Sequence, residues 1–518
     1  MTIDAPKFFF AALAATAALA LPTGPADAQM AHQFTLIGHI ESFSVDDVND
    51  PLSGGRIKVH GVEVVLPKNL IIQMPARYLT AKDIVDLNPA HDGTSGLALD
   101  DQPLAAYEAT VVGNIVGDRY VAGLVWIAQH SLATGAGFIQ AIGADGEIQV
   151  VADPAGGAGQ PVARIRINDP AEADGIYYAP PDPNADERFI VDTGNPTVHA
   201  GTGFPMCVAQ AGREAECPAG NRPRGDDGTP LTTFVMGNEG LPATPPGALP
   251  IPPCPACDPE RPAPFMVGDY IVYAGTLAKD GTGDIYISAH TVEANVGIYT
   301  ARGVDPAYVL IEDSLIGTQG PLVPRDPANP DGATFPQETQ DRFRVEGVTT
   351  DPSRPVVVYA IDVDAATGEQ TLRRLQTPPF DPPPLGRFRI TLGQRANALF
   401  AEGNVTEADV RGAPRELVAR IGDDDLDGQP LPKTATAANG LVAGQYVAPF
   451  GEFIFPENKV YGDPILPNNF DCLPFLLNGS GPLKTTSDDG PLVGPLDPWP
   501  DIVRPAAVNC GPRPKPII

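Results

Sequence analysis

The chain has 518 residues and a formal net charge of -30, with 34 Lys and Arg against 64 Asp and Glu. Without clustered cations it is ill suited to phosphate backbones or to an anionic membrane surface, so nucleic acid is not expected as a partner. Gly (54) and Pro (59) together exceed a fifth of the residues, which excludes a mostly helical chain because both break helices.

Lys7 precedes an apolar run from Phe8 to Leu21, helix breakers follow at Pro22, Gly24 and Pro25, and Ala26-Asp27-Ala28 has the small residues a signal peptidase reads. Residues 1–28 are therefore expected to be a signal peptide, with an uncleaved anchor as the competing reading. The mature chain would start near Gln29 and be secreted or periplasmic. No later segment is long and apolar enough to span a bilayer, so no transmembrane segment is expected after signal removal.

Residues 34–75 alternate apolar and polar. Phe34–Ile40 reads as a strand, and Gly54-Gly55 turns the chain into Arg56–His60 and then Val62–Leu66. Strand, tight Gly turn, strand is a hairpin signal. Thr80 and Asp83 have the T-x-x-D spacing of a capping box and predict a short helix to Leu87. The pattern Gly38-x-Ile40, then Gly54-Gly55-x-Ile57-x-Val59-x-Gly61-Val62-x-Val64, closed by Pro67, resembles small β-barrel modules of exported bacterial proteins. Those modules are similar to oligonucleotide/oligosaccharide-binding (OB) barrels. The resemblance covers about 40 residues and implies a fold, not an activity.

An internal repeat extends this reading. Val112–Val116 leads through Arg119-Tyr120-Val121 to Trp126–Leu132, and Ala274–Ala278 leads through Ile285-Tyr286-Ile287 to Ser288–Val292. In both, a glycine bend precedes a long strand, as at the corner of a small barrel. The expected organisation is all-β: a first OB-like barrel in 29–165 and a second in 166–330, the latter with a Cys- and Pro-rich excursion at 204–264. An immunoglobulin-like β-sandwich is expected in 335–435, where Val356–Val363 reads as a strand buried on both faces. An extended C-terminal arm follows in 436–518. Arg-Phe pairs at Arg188, Arg342 and Arg387 read as strands with the aromatic ring inward and the arginine outward.

Six cysteines, Cys207, Cys217, Cys254, Cys257, Cys472 and Cys510, suggest three disulfides in an oxidising compartment. Sequence does not choose among 15 connectivities; local pairing suggests Cys207–Cys217, Cys254–Cys257 and Cys472–Cys510. Zinc on the first four, with Cys254-Pro-Ala-Cys257 as a knuckle, is the alternative. Asp423, Asp425 and Asp427 before Gly428 match the start of a calcium loop, but position twelve is Thr434 rather than Glu. A solvated acidic turn competes with calcium there, and no other cofactor is expected. Asp46, Asp47, Asn49 and Asp50 form a vaguer acidic cluster. His39 and His60 could meet across a hairpin, and His130 and His290 hold equivalent places in the repeat.

No nucleophile elbow, zincin helix, Walker loop, dinucleotide fingerprint or haem motif is present, so the catalytic residues are unassigned and an enzyme is not the leading reading. That leading reading is an exported, non-enzymatic structural or binding protein, with a polysaccharide or other cell-surface component as partner. The alternative is a secreted hydrolase working through scattered carboxylates or His130 and His290. A deep pocket with convergent acids would favour the enzyme.

Overall fold

The structure is a computed structural model. It describes residues 31–127, 133–156, 160–169, 182, 184–241, 250–304, 306–318, 325–326, 328–329, 332, 343–363, 370–374, 385–392, 415–422, 437, 440–455, 457–468, 470 and 496–502. Residues 1–28, expected to be a signal peptide, and His130, Arg342, Asp423, Asp425, Asp427, Cys472 and Cys510 lie outside the described residues.

The chain is nearly all β and contains two closed five-stranded barrels. The first is built from β1 (His32–Val45), β2 (Gly55–Val59), β3 (Val62–Leu66), β6 (Glu108–Val116) and β7 (Arg119–Ile127), with the two-residue strands β4 (Ile72–Gln73) and β5 (Tyr78–Leu79) added beside β7. β1, β2 and β3 form an antiparallel meander, β6 pairs with β1 and β7, and β7 closes on β3 in parallel. Alternation explains the packing: Ile40, Ile57, Val59, Val64, Val111 and Val125 point inward and are buried. The predicted helix is present as α1 (Ala81–Asp86), with Thr80 and Asp83 bonded reciprocally in a capping box.

The second barrel repeats this topology with β8 (Ala133–Ile142), β9 (Ile148–Val151), β10 (Val162–Ile167), β16 (Tyr270–Lys279) and β17 (Ile285–Ala294). β10 closes on β17 in parallel, as β3 does on β7. The repeat seen in sequence is therefore the fourth and fifth strands of each barrel. Its glycines sit at matching register shifts, Val112/Gly113 and Ala274/Gly275. A Cβ on Gly113 would lie 2.1 Å from the Val121 carbonyl oxygen, and one on Gly275 2.2 Å from that of Ser288. Only glycine permits that approach. The expected division at residue 165 is corrected here. Strands 133–167 belong to the second barrel, because their partners β16 and β17 lie a hundred residues downstream and no local pattern announces that pairing.

The excursion between β10 and β16 is ordered by docking. β11 (Val198–Ala200) extends the second barrel beside β17; β12 (Met206–Cys207) pairs with β15 (Ala263–Pro264). β13 (Thr233–Met236) lies between β14 (Pro253–Cys254) and β18 (Gly297–Thr300). Phe204, Met206, Phe234 and Met236 join the core of the second barrel. A fully buried Arg222–Asp269 pair, bidentate at 2.9 and 2.8 Å, pins the excursion to the start of β16. Two disulfides clamp it, Cys207–Cys217 and Cys254–Cys257, with Cα separations of 5.9 and 5.4 Å. The zinc reading of these four cysteines is thereby displaced.

The third unit has two four-stranded sheets. One has the order β23 (Arg387–Leu392), β20 (Phe343–Thr349), β19 (Val309–Gly317), β26 (Glu452–Ile454). The other has the order β22 (Gln370–Arg374), β21 (Val356–Val363), β24 (Glu416–Ile421), β25 (Gln445–Pro449). They share a core in which Val356, Val358 and Ala360 meet Val345, Phe388 and Ile390. Val357, Tyr359 and Ile361 are buried on the opposite face, so β21 is covered on both sides as its sequence predicts.

The expected extended arm at 436–518 is corrected in its first part: Gln445–Pro449 and Glu452–Ile454 are strands β25 and β26 of the third unit, and residues 496–502 pack on the first barrel. Leu496 and Trp499 enter its core cluster. Asn114, fully buried, donates to Asn468 O at 2.8 Å and Pro500 O at 2.6 Å and accepts from Asn468 N at 2.7 Å.

The outward-arginine expectation fails at Arg188. It lies in a short 3-10 turn, is 2% exposed, pairs with Asp186 and donates to the carbonyls of Ile84 and Ser95. Phe189 beside it plugs the first barrel's core and stacks on Tyr107 at 5.3 Å. At Arg387, where Phe388 is buried and the arginine exposed, the expectation holds.

Candidate functional site

The barrel interiors are filled by side chains, the first barrel's with the help of Phe189, Leu496 and Trp499 from later segments, and the candidate site lies outside them. A cleft of about 1230 Å³ lies between the first barrel, the 190–197 segment and the third unit. Such sites favour seams where separate units meet.

One wall is the outer face of the first barrel. On β1 the side chains of Gln33, Thr35 and Ile37 face the cleft while Phe34 and Leu36 pack inward. Thr110 and Val112 of β6 and Trp126 of β7 continue this wall. The β4–β5 turn adds Gln73 to Tyr78. Opposite lie β25, β26 and the irregular stretch of β19 at Ile311–Ser314. Asn195 ties the 190–197 segment to β25 by donating to Val447 O at 2.8 Å and accepting from Val447 N at 3.1 Å.

The deepest part of the site is a polar cluster on β24 and β5. Arg415 lies 4.2 Å over the Tyr78 ring. Glu416 is 3% exposed, and burial pushes its carboxyl up to about 7, against the opposing influence of Arg415 and Tyr78. Burial also raises the Tyr78 hydroxyl well above its ordinary value. Tyr78 has both Glu416 and Arg415 as hydrogen-bonding neighbours, although Tyr78 Oη and Glu416 Oε1 make no bond of strict geometry. Trp126 Nε1 and Gln445 Oε1 are likewise buried without a partner. All four atoms belong to residues lining this one cleft. Buried polar atoms without well-formed bonds are costly, about 1–3 kcal/mol each, so their grouping along one cleft sets it apart from the apolar cores. Phe453, 6.4 Å from Trp126 between ring centroids, and Tyr446 add aromatic surface.

Residues singled out by sequence are placed as follows. His60 Nε2 is 2.5 Å from the Ile37 carbonyl oxygen, and its ring packs against Gly38. Asp47 and Asp50 accept from the backbone of Asn49 and Leu52 in their own loop, and Asp50 also pairs with Lys68 at 2.5 Å. Among the described residues no group of three or more His, Cys, Asp or Glu is arranged to hold a metal. The calcium candidates fall outside those residues. His290 is buried on β17, with Nδ1 3.0 Å from Thr291 Oγ1, and burial lowers it to about 4. It does not line the cleft.

Glu416, Tyr78, Trp126 and Gln445 were not singled out in sequence. One signal was available: Glu416 and Arg420 share a face of the otherwise apolar strand Glu416–Ile421, and charges in a buried strand need a reason. Neither a protein-family model nor a curated protein matches this chain.

Proposed function

We propose that this is an exported binding protein that takes a stretch of a cell-surface polymer, carbohydrate in class, into the cleft between its first barrel and its β-sandwich. The observation that carries the reading is the convergence of Tyr78 Oη, Trp126 Nε1, Glu416 Oε1 and Gln445 Oε1 on one aromatic-bearing cleft. Two donors and two acceptors beside aromatic faces suit a ligand that presents many hydroxyls along an apolar ring. Export is supported by an even cysteine count, the two disulfides and the signal-like start. No helix among the described residues is long and apolar enough to cross a membrane. The distribution of strands, β19, β20, β23 and β26 in one sheet and β21, β22, β24 and β25 in the other, supports a sandwich reading of immunoglobulin-like type for the third unit.

A glycan array probed with the full mature chain and with Thr35→Trp tests this. Thr35 is exposed on the cleft wall, so an indole there fills the cleft without disturbing a core. Glycans retained by the parent and lost by the variant are expected; identical profiles refute the assignment.

A second reading, hydrolysis, rests on Glu416 alone. A carboxyl near pKa 7 in a cleft is the state a general acid needs. Release of reducing ends from a bound glycan, abolished in Glu416→Gln, would establish it; a bound glycan left intact sinks it.

A further inference from the structure

The charge of the cleft narrows the ligand class. This step rests on the binding reading above. Six lining residues are acidic, Asp192, Glu312, Asp313, Glu416, Glu452 and Glu457, against one lining cation, Arg77; a second cation, Arg415, lies beside Glu416 behind the lining. Arg77 is turned to its own chain, donating to Glu187 O at 2.7 Å. Two carboxylates have arginines behind them: Arg344 lies 2.5 Å from Asp313 and Arg387 3.0 Å from Glu312. Those pairs are on the rim, where water and salt weaken them. The deep end holds Glu416, whose Oε1 is an acceptor without a well-formed bond. Gln445 Oε1, also without one, is a second acceptor, and the half-buried Tyr446 ring offers a face that attracts cations.

We infer that the cleft selects an oligosaccharide carrying protonated amines, an amino-sugar polymer, over neutral or acidic ones. An ammonium supplies the N–H donors that Glu416 Oε1 and Gln445 Oε1 lack, and the surrounding carboxylates raise its local concentration. The sugar ring meets the aromatic wall, and its hydroxyls meet Thr35, Thr110 and Gln33. A uronic-acid polymer would bring its charge against the rim acids Asp192, Glu312, Asp313, Glu452 and Glu457 and is rejected.

Titration calorimetry on the full mature chain tests this with three probes: a β-1,4-linked glucosamine hexamer, its fully N-acetylated counterpart and a uronic-acid hexamer. The glucosamine hexamer is expected to bind at least about tenfold more tightly than the acetylated one. Its affinity should fall several-fold as salt shortens the screening length to about 3 Å. Glu416→Gln and Glu452→Gln should each weaken it several-fold. Glu452 is exposed on the rim, so its variant reads the charge even if the buried substitution perturbs folding. If the acetylated or acidic hexamer binds as well or better, and Thr35→Trp abolishes that binding, the amine selectivity is wrong while the cleft assignment stands. If no hexamer binds, or binding ignores Thr35→Trp, both fall.

Discussion

Replacing Glu416 by Gln isolates the energetic cost of the candidate site. Below pH 4.5, its ordinary value, the carboxyl is neutral in both folded and unfolded chains. Between 4.5 and about 7 the unfolded chain gives up its proton while the fold retains it. The unfolded state then binds fewer protons, so stability falls as pH rises through this window. The span from 4.5 to about 7 corresponds to roughly 3 kcal/mol. Glutamine resembles the protonated acid and never bears the charge. The variant should match the parent near pH 4 and exceed it by roughly 3 kcal/mol near pH 8. A chain of several units has no single unfolding free energy, so the assay should be local. Native-state hydrogen exchange at β21 and β24, compared at equal pH, reads it as roughly a hundredfold slower exchange in the variant on the alkaline side. A difference that does not change with pH would refute the buried-carboxyl reading.

Three further outcomes follow from the same structure. His290 has the opposite sign: its folded value of about 4 lies below its ordinary 6.5, so its contribution is lost as pH falls between them. A gap in melting midpoint between parent and His290→Gln should therefore shrink on acidification, by the equivalent of roughly 3 kcal/mol, and a gap that widens contradicts this. Asn114→Ala removes three buried hydrogen bonds and leaves the carbonyls of Asn468 and Pro500 unanswered. It should cost about 3 kcal/mol and free the arm to proteolysis, whereas a loss under about 1 kcal/mol would mean that the arm is not held there. Non-reducing peptide mapping should recover Cys207–Cys217 and Cys254–Cys257 as separate bridges, and peptides crossing between the pairs would contradict the excursion's path.

Local physics was legible in the sequence where local pairing decided the outcome. The β2–β3 hairpin, the Thr80–Asp83 box and the apolar run of β21 all sit where pattern placed them, but the hairpin turns at His60-Gly61 and Gly55 is the first residue of β2 rather than part of a turn. The repeat was visible because Gly113 and Gly275 face the same steric demand at the same barrel corner. What failed was long-range. The first barrel's core takes Phe189 from the excursion and Trp499 from the arm, and β10 finds its partner only in β17. Arg188 defied the outward rule because the Ile84 and Ser95 carbonyls and Asp186 satisfy it inside. The cleft was hidden for the same reason: its walls come from 33–37, 73–78, 110–126, 190–197, 311–314 and 445–457, none of which carries a motif.

The cleft assignment is tested most directly by a hydrogen-exchange footprint of the full chain with and without the tightest-binding oligosaccharide. The account predicts slowed exchange confined to β1, the β4–β5 turn, the 190–197 segment and β25–β26. Protection centred on the second barrel's outer face, or none at saturating ligand, would contradict it.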